Sequence, residues 1–138
     1  MKKLNIYTTA FSHSFSSTWY KKPKDIVWDY NSTENPITFY VDGQISLGFE
    51  HKNNGKKKFL WGLESRYFNG NFFDTVKNNL DEVLDTYEMI FTYNQDLLTL
   101  NEKFKWVPAM GTWIEKPKIY NKSKKVSMIT SDKQMTQN

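Results

Sequence analysis

Apolar residues fall along this chain in short, nearly continuous runs separated by polar punctuation. Ile37–Asp42 (ITFYVD) and Lys57–Leu63 (KKFLWGL) are β-branched and aromatic almost throughout. Runs of that kind suit strands covered on both faces, as in parallel sheets. Lys3–Thr9, Met89–Tyr93 and Phe104–Pro108 are shorter strands by the same criterion, and Val126–Thr130 closes the series. Asp25–Tyr30 (DIVWDY) reads as a short strand or a turn.

The period changes over Phe72–Tyr87. Phe72, Phe73, Val76, Leu80, Val83, Leu84 and Tyr87 recur at spacings of three and four, which predicts one helical face. Asn71 is the expected N-cap, Asp74 suits the positive end of the helix dipole, and Asn78-Asn79 marks a kink. A short helix follows over Asn94–Leu100, capped by Asn94. Gly43–Gly55 is expected to be a connection ending in the turn signal Asn54-Gly55.

Strands alternating with helices predict an α/β domain of Rossmann-like, three-layer type with a mainly parallel sheet. Ligands of such sheets bind outside the carboxyl ends of the strands. The loops of interest are then Ser12–Thr18, Glu64–Gly70 and Ala109–Trp113.

Composition narrows the chemistry. With 138 residues and 17% aromatics the chain has the length and the apolar bulk for one core. The absence of cysteine removes disulfides, thiolate metal sites and cysteine nucleophiles, and fits a reducing, cytoplasmic setting. The N-terminus is a poor signal peptide, and no apolar run approaches the ~18 residues of a membrane span. Net charge is +4, but Arg66 is the one arginine among nineteen basic residues. Bidentate phosphate and base reading favours arginine, so nucleic acid is not an expected partner. No GxGxxG or Walker pattern occurs, so no dinucleotide cofactor is expected, and two histidines without cysteine make a metal site improbable.

Glu64 lies just past the end of a buried strand, beside Ser65 and Arg66. That is a common mounting for a general base; the plainer alternative is a carboxylate paired with Arg66 for local structure. Gly111-Thr112-Trp113 follows another strand end. There glycine lets backbone approach a ligand and tryptophan stacks on a sugar ring, or else the tryptophan plugs the sheet edge. His13, in the serine-rich loop, suits either acid–base work or surface hydrogen bonding. Lys116, Lys118, Lys122, Lys124 and Lys125 read as a solvated linker.

Phe59–Arg66 (FLWGLESR), Ile90–Leu98 (IFTYNQDLL) and Trp106–Ile114 (WVPAMGTWI) resemble, in order, segments of the fucosyltransferase-like glycosyltransferases of bacteria and phages. Lys124–Lys133 (KKVSMITSDK) is similar to the start of that family's donor-domain motif, with Asp132 where the family has Asn. The resemblance spans about residues 57–133. It implies the acceptor-side, N-terminal half of a two-domain GT-B architecture: an acceptor-side domain over residues 1–115, a Lys-rich linker over 116–125, and the opening of a donor-binding domain over 126–138. It further implies an inverting transfer of a sugar such as fucose from a nucleotide sugar to a glycan acceptor. Glu64 matches the base, with Leu63 where the family often has glycine. Ser65, Arg66, His13, Gly111, Thr112 and Trp113 are the expected substrate contacts. The donor would be bound by the second domain, so this chain alone is expected to be inactive. The alternative is a stand-alone α/β module that binds a carbohydrate or a protein without catalysis.

Overall fold

The computed structural model describes residues 1–9, 24–32, 34–52, 54–66, 69–108, 121 and 123. His13, Gly111, Thr112, Trp113, the lysine cluster apart from its surroundings at 121 and 123, and Val126–Thr130 lie outside the described residues, as do the proposed domain boundaries.

Six strands form one sheet in the order β2-β1-β3-β4-β5-β6: β1 (Lys2–Tyr7), β2 (Ile26–Tyr30), β3 (Ile37–Val41), β4 (Lys57–Gly62), β5 (Met89–Thr92) and β6 (Phe104–Trp106). Every pairing is parallel. The fold is therefore α/β and Rossmann-like, as the alternation of elements predicts. Asp25–Tyr30, ambiguous by pattern, is the edge strand β2 from Ile26 onward.

Helices return the chain between strands: α1 (Ile45–Glu50), α2 (Gly70–Asn78), α3 (Leu80–Thr86) and α4 (Gln95–Leu98). They pack on the sheet face that presents Tyr40, Leu60, Ile90 and Phe104, and the core there is completed by Ile45, Phe72, Phe73, Val76, Val83, Tyr87 and Leu97. The period of two sends Trp28, Phe39, Phe59, Trp61 and Phe91 to the opposite face. Phe39 and Phe59 stack there at 5.1 Å, and Trp28 meets Phe39 edge-on at 5.3 Å.

Three local expectations need correction. The Gly43–Gly55 segment is not a plain connection: a 3-10 turn at Asp42–Gln44 leads into α1. Gly48 in mid-helix is unfavourable by propensity, but a Cβ there would overlap the Tyr87 hydroxyl, which donates to the Ile45 carbonyl at 2.7 Å. The tertiary contact overrides the local preference. Second, the N-cap of α2 is Asn69, whose side-chain oxygen accepts from the Phe72 amide at 3.3 Å, because the helix starts one residue before Asn71. Asp74 then falls beyond the first turn and pairs with Arg66. Third, the expected helix Phe72–Tyr87 is two helices. Asn79 leaves helical geometry at φ −127°, ψ 40°, and its side chain donates to the Thr75 carbonyl at 3.0 Å. Asparagine competes for backbone groups in this way, so the kink belongs to Asn79 itself.

The return from β2 to β3 uses only residues 31–36, where parallel crossovers usually need a dozen or more. Asn31 turns the chain at φ 54°. The Ser32 amide then donates to the fully buried Asn5 side chain at 2.6 Å, and Asn35 donates to Asp29 at 2.9 Å. Asn5 on β1 thus supplies a partner for a backbone stretch too short to form a helix of its own.

Candidate functional site at the carboxyl edge

The connection leaving β1 goes to β2 on one side, and the connection leaving β3 goes to β4 on the other. In open α/β sheets the carboxyl ends of strands at such a reversal of order are the usual ligand position. Asp42 is the first residue beyond β3, at its carboxyl end.

Asp42 is unusual in three respects. It is 6% exposed. Its backbone is left-handed at φ 49°, one of two such non-glycine residues among those described; aspartate tolerates this better than most side chains, at a cost of ~1–3 kcal/mol. Its Oδ1 accepts from the Leu63 amide at 2.7 Å and the Glu64 amide at 3.1 Å, whereas its Oδ2 is closed off from solvent and has no hydrogen-bond partner. Burial pushes its pKa up from 3.8 to about 6; the two amides oppose the rise and the Glu64 charge adds to it.

Glu64 is half-buried, two residues past the end of β4. Past Gly62 the strand has left its ladder with β5, and the amides of Leu63 and Glu64 turn to the Asp42 carboxylate instead. The Glu64 carbonyl accepts from the Tyr93 hydroxyl at 3.2 Å. Tyr93 follows β5 directly, and its phenol is held above the usual range by burial and by the charges of Asp42 and Glu64. The backbone that carries Glu64 is therefore gripped from both neighbouring strand ends.

Arg66 is exposed and its guanidinium lies 3.6 Å from Asp74 on α2. Among the described residues it makes no ion pair with Glu64, so the Glu64–Arg66 pairing weighed from the sequence is not formed. Ser65 is exposed, and its carbonyl accepts from the Asn69 amide at 2.9 Å. Asn69 lies beside Gly43, its amide nitrogen 4.0 Å from where a Cβ on Gly43 would stand. Glu64, Ser65 and Arg66 are thus brought to one edge, together with Asp42, Asn69 and Tyr93, which sequence reasoning did not single out. The available signal for Asp42 was an acidic residue followed by glycine at the end of a buried apolar run (VDG).

The described residues hold no group of three or more histidine or carboxylate side chains gathered as for a metal ion, and none of their helices is long and apolar enough to cross a membrane. Two hollows lie away from this edge, one at the turn between α2 and α3 around Asn79 and one beside Lys2 and Asp25 at the amino ends of β1 and β2. No protein-family model, curated protein or solved structure matches the chain.

Proposed function

We propose that this chain is the acceptor-side part of an inverting glycosyltransferase, in which Glu64 deprotonates a hydroxyl of a glycan acceptor as that hydroxyl attacks a nucleotide sugar, with fucose as the first candidate sugar. The observation that supports this reading most is the double grip on Glu64 at the carboxyl edge: Asp42 holds its amide and Tyr93 its carbonyl. A base must stay in place while the reacting groups exchange a proton, and rigid strand ends provide that. Sugar hydroxyls are weak nucleophiles, so a positioned base is worth ~10²–10⁴-fold.

Transfer is to be measured with a donor-side glycosyltransferase domain supplied in trans or fused to the C-terminus, GDP-fucose as donor and a panel of galactose- and N-acetylglucosamine-terminated glycans. Glu64→Gln is expected to lower kcat by ~10² or more while acceptor binding stays nearly unchanged. Full kcat in that variant would remove Glu64 as the base. Absence of glycan binding by the wild-type chain would remove the acceptor-side assignment.

A further inference from the structure

We propose that the sheet face opposite the helices is a docking surface for an acidic amphipathic helix of a partner protein, received by Phe59, Met89 and Phe91 between Lys57 and Lys105.

The two faces of the sheet are covered unequally. All four helices pack on the side of Tyr40, Leu60, Ile90 and Phe104. The smaller apolar cluster on the other side, built on Ile6, Val41 and Leu63, includes no helix residue among those described. Ile90 is 0% exposed, whereas Met89, the preceding residue on β5, faces the other way and is 40% exposed. Met89 pairs across the strands with Phe59, and Lys105 with Phe91. Both phenylalanines are only half-buried, and Lys57 and Lys105 are exposed. Inner strands of a parallel sheet are normally covered on both faces. An apolar patch left open on such a sheet, with polar residues at its rim, marks an interaction surface.

Charge selects the partner. Strand alternation puts Lys2, Lys57 and Lys105 on this face, and no aspartate or glutamate takes a strand position there. The segments outside the described residues are rich in lysine, with Glu115 and Asp132 their only acidic side chains. They repeat the charge of the rim instead of complementing it. A second copy docked by the same patch would set lysine against lysine. A helix with carboxylates flanking an apolar stripe complements both the patch and its rim.

Ring geometry selects the class of macromolecule. Phe39 and Phe59 stack at 5.1 Å and 21°, Phe39 and Phe91 at 6.1 Å and 17°, and Phe59 and Phe91 at 6.2 Å and 27°. Rings stacked across a sheet occupy one another's faces and leave their edges to a partner. Nucleic-acid bases need ring faces to stack on, whereas the apolar side chains of a helix pack among ring edges. The unbranched Met89 thioether adapts to such side chains. A twisted parallel sheet presents a curved surface, which a helix follows and a flat bilayer does not. Neither Glu64 nor a sugar donor takes part in this contact.

The test uses the whole 138-residue chain with its methionine methyl groups labelled with carbon-13. The probe is a helical peptide of about five turns, roughly 18 residues, with leucines at spacings of three and four and glutamates beside them. A second peptide carries lysines in place of the glutamates. NMR titration is expected to give saturable shifts of the Met89 methyl group and of the Phe59 and Phe91 amides with the glutamate peptide, and none with the lysine peptide. Lys57→Glu/Lys105→Glu should weaken the glutamate peptide by about tenfold and gain binding of the lysine peptide, and Met89→Asp should abolish binding of the glutamate peptide. Should the double variant fail to fold, the preference of the wild type between the two peptides decides alone. Equal binding of both peptides, no response of Met89 to the glutamate peptide, or a charge reversal without effect would each overturn the proposal. So would shifts of Met89 on dilution of the chain alone, which would make a second copy the occupant. Shifts with phosphatidylserine vesicles or oligo-dT in place of the glutamate peptide would likewise overturn it, in favour of a membrane or a nucleic acid.

Discussion

Charged side chains are buried at both ends of this sheet, and the two ends treat them differently. Near the amino end, Lys58 on β4 is 3% exposed, and its ammonium donates to the Lys52 carbonyl at 3.0 Å; burial lowers its pKa. Lys103, just before β6, donates to the carbonyls of Leu84 at 2.5 Å and Tyr87 at 3.0 Å, and so caps the end of α3. Cations at a helix C-terminus also meet the favourable end of its dipole. An ion pair between Lys52 and Asp85 ties α1 to α3 nearby. At the carboxyl end Asp42 keeps one oxygen without a partner. The amino end holds its charges in service of the fold, whereas the carboxyl end keeps a charge that the fold does not need. That asymmetry, more than the mere presence of acidic residues, distinguishes the carboxyl edge from the amino end.

The helix-packed side of the comparison should tolerate least. Gly48→Ala places a methyl group on the Tyr87 hydroxyl, which itself donates to Ile45. Overpacking together with loss of a buried hydrogen bond should cost about 2–5 kcal/mol, read as a lower urea midpoint. A variant with wild-type stability would show that α1 shifts freely over α3, against the packing described.

Asp42→Asn should move stability the other way. The folded state binds the Asp42 proton more tightly than the unfolded chain does, since burial raises the pKa from 3.8 to about 6. Wild-type stability should therefore fall as pH rises from about 4 to about 6, and level off above. The interval corresponds to about 3 kcal/mol at most. The Asn variant should lose this slope and be the more stable protein at pH 7. Urea titrations of both proteins between pH 4 and 8 would check it, and an Asn variant less stable than wild type at pH 7 would erase the contrast between the two ends.

Lys103→Met gives the matching case at the amino end with a smaller effect. It strips two carbonyls at the end of α3 of a charged donor, and should destabilise by about 1–2 kcal/mol. A stabilised Lys103→Met would mean that this half-buried charge is as dispensable to the fold as that of Asp42.

Of the segments behind the sequence resemblance, Phe59–Arg66 spans most of β4 and reaches Glu64, and Ile90–Leu98 contains Tyr93. Trp106–Ile114 runs from the last residue of β6 into positions outside those described.

Much of this was readable from residue order alone. Continuous apolar runs marked β3 and β4 as inner strands, because a parallel strand is covered on both faces and needs no polar alternation. The three- and four-residue spacing found the helical face of Phe72–Leu84, and Asn94 capped its helix as expected, its side chain accepting from Leu97 at 3.1 Å. The position of Glu64 just past a strand was legible because a strand end is a local feature. The rest depended on partners far away in the chain. Gly48 sits in a helix because of Tyr87, and Asn5 is buried because Ser32 reaches it. Asp42 became a buried clamp only when Leu63 and Glu64, more than twenty positions on, arrived beside it and used one of its two oxygens. Local patterns record which residues prefer strand or helix. Which polar groups end up buried, and which of them lack a partner, is decided by contacts between segments, and no local pattern encodes those.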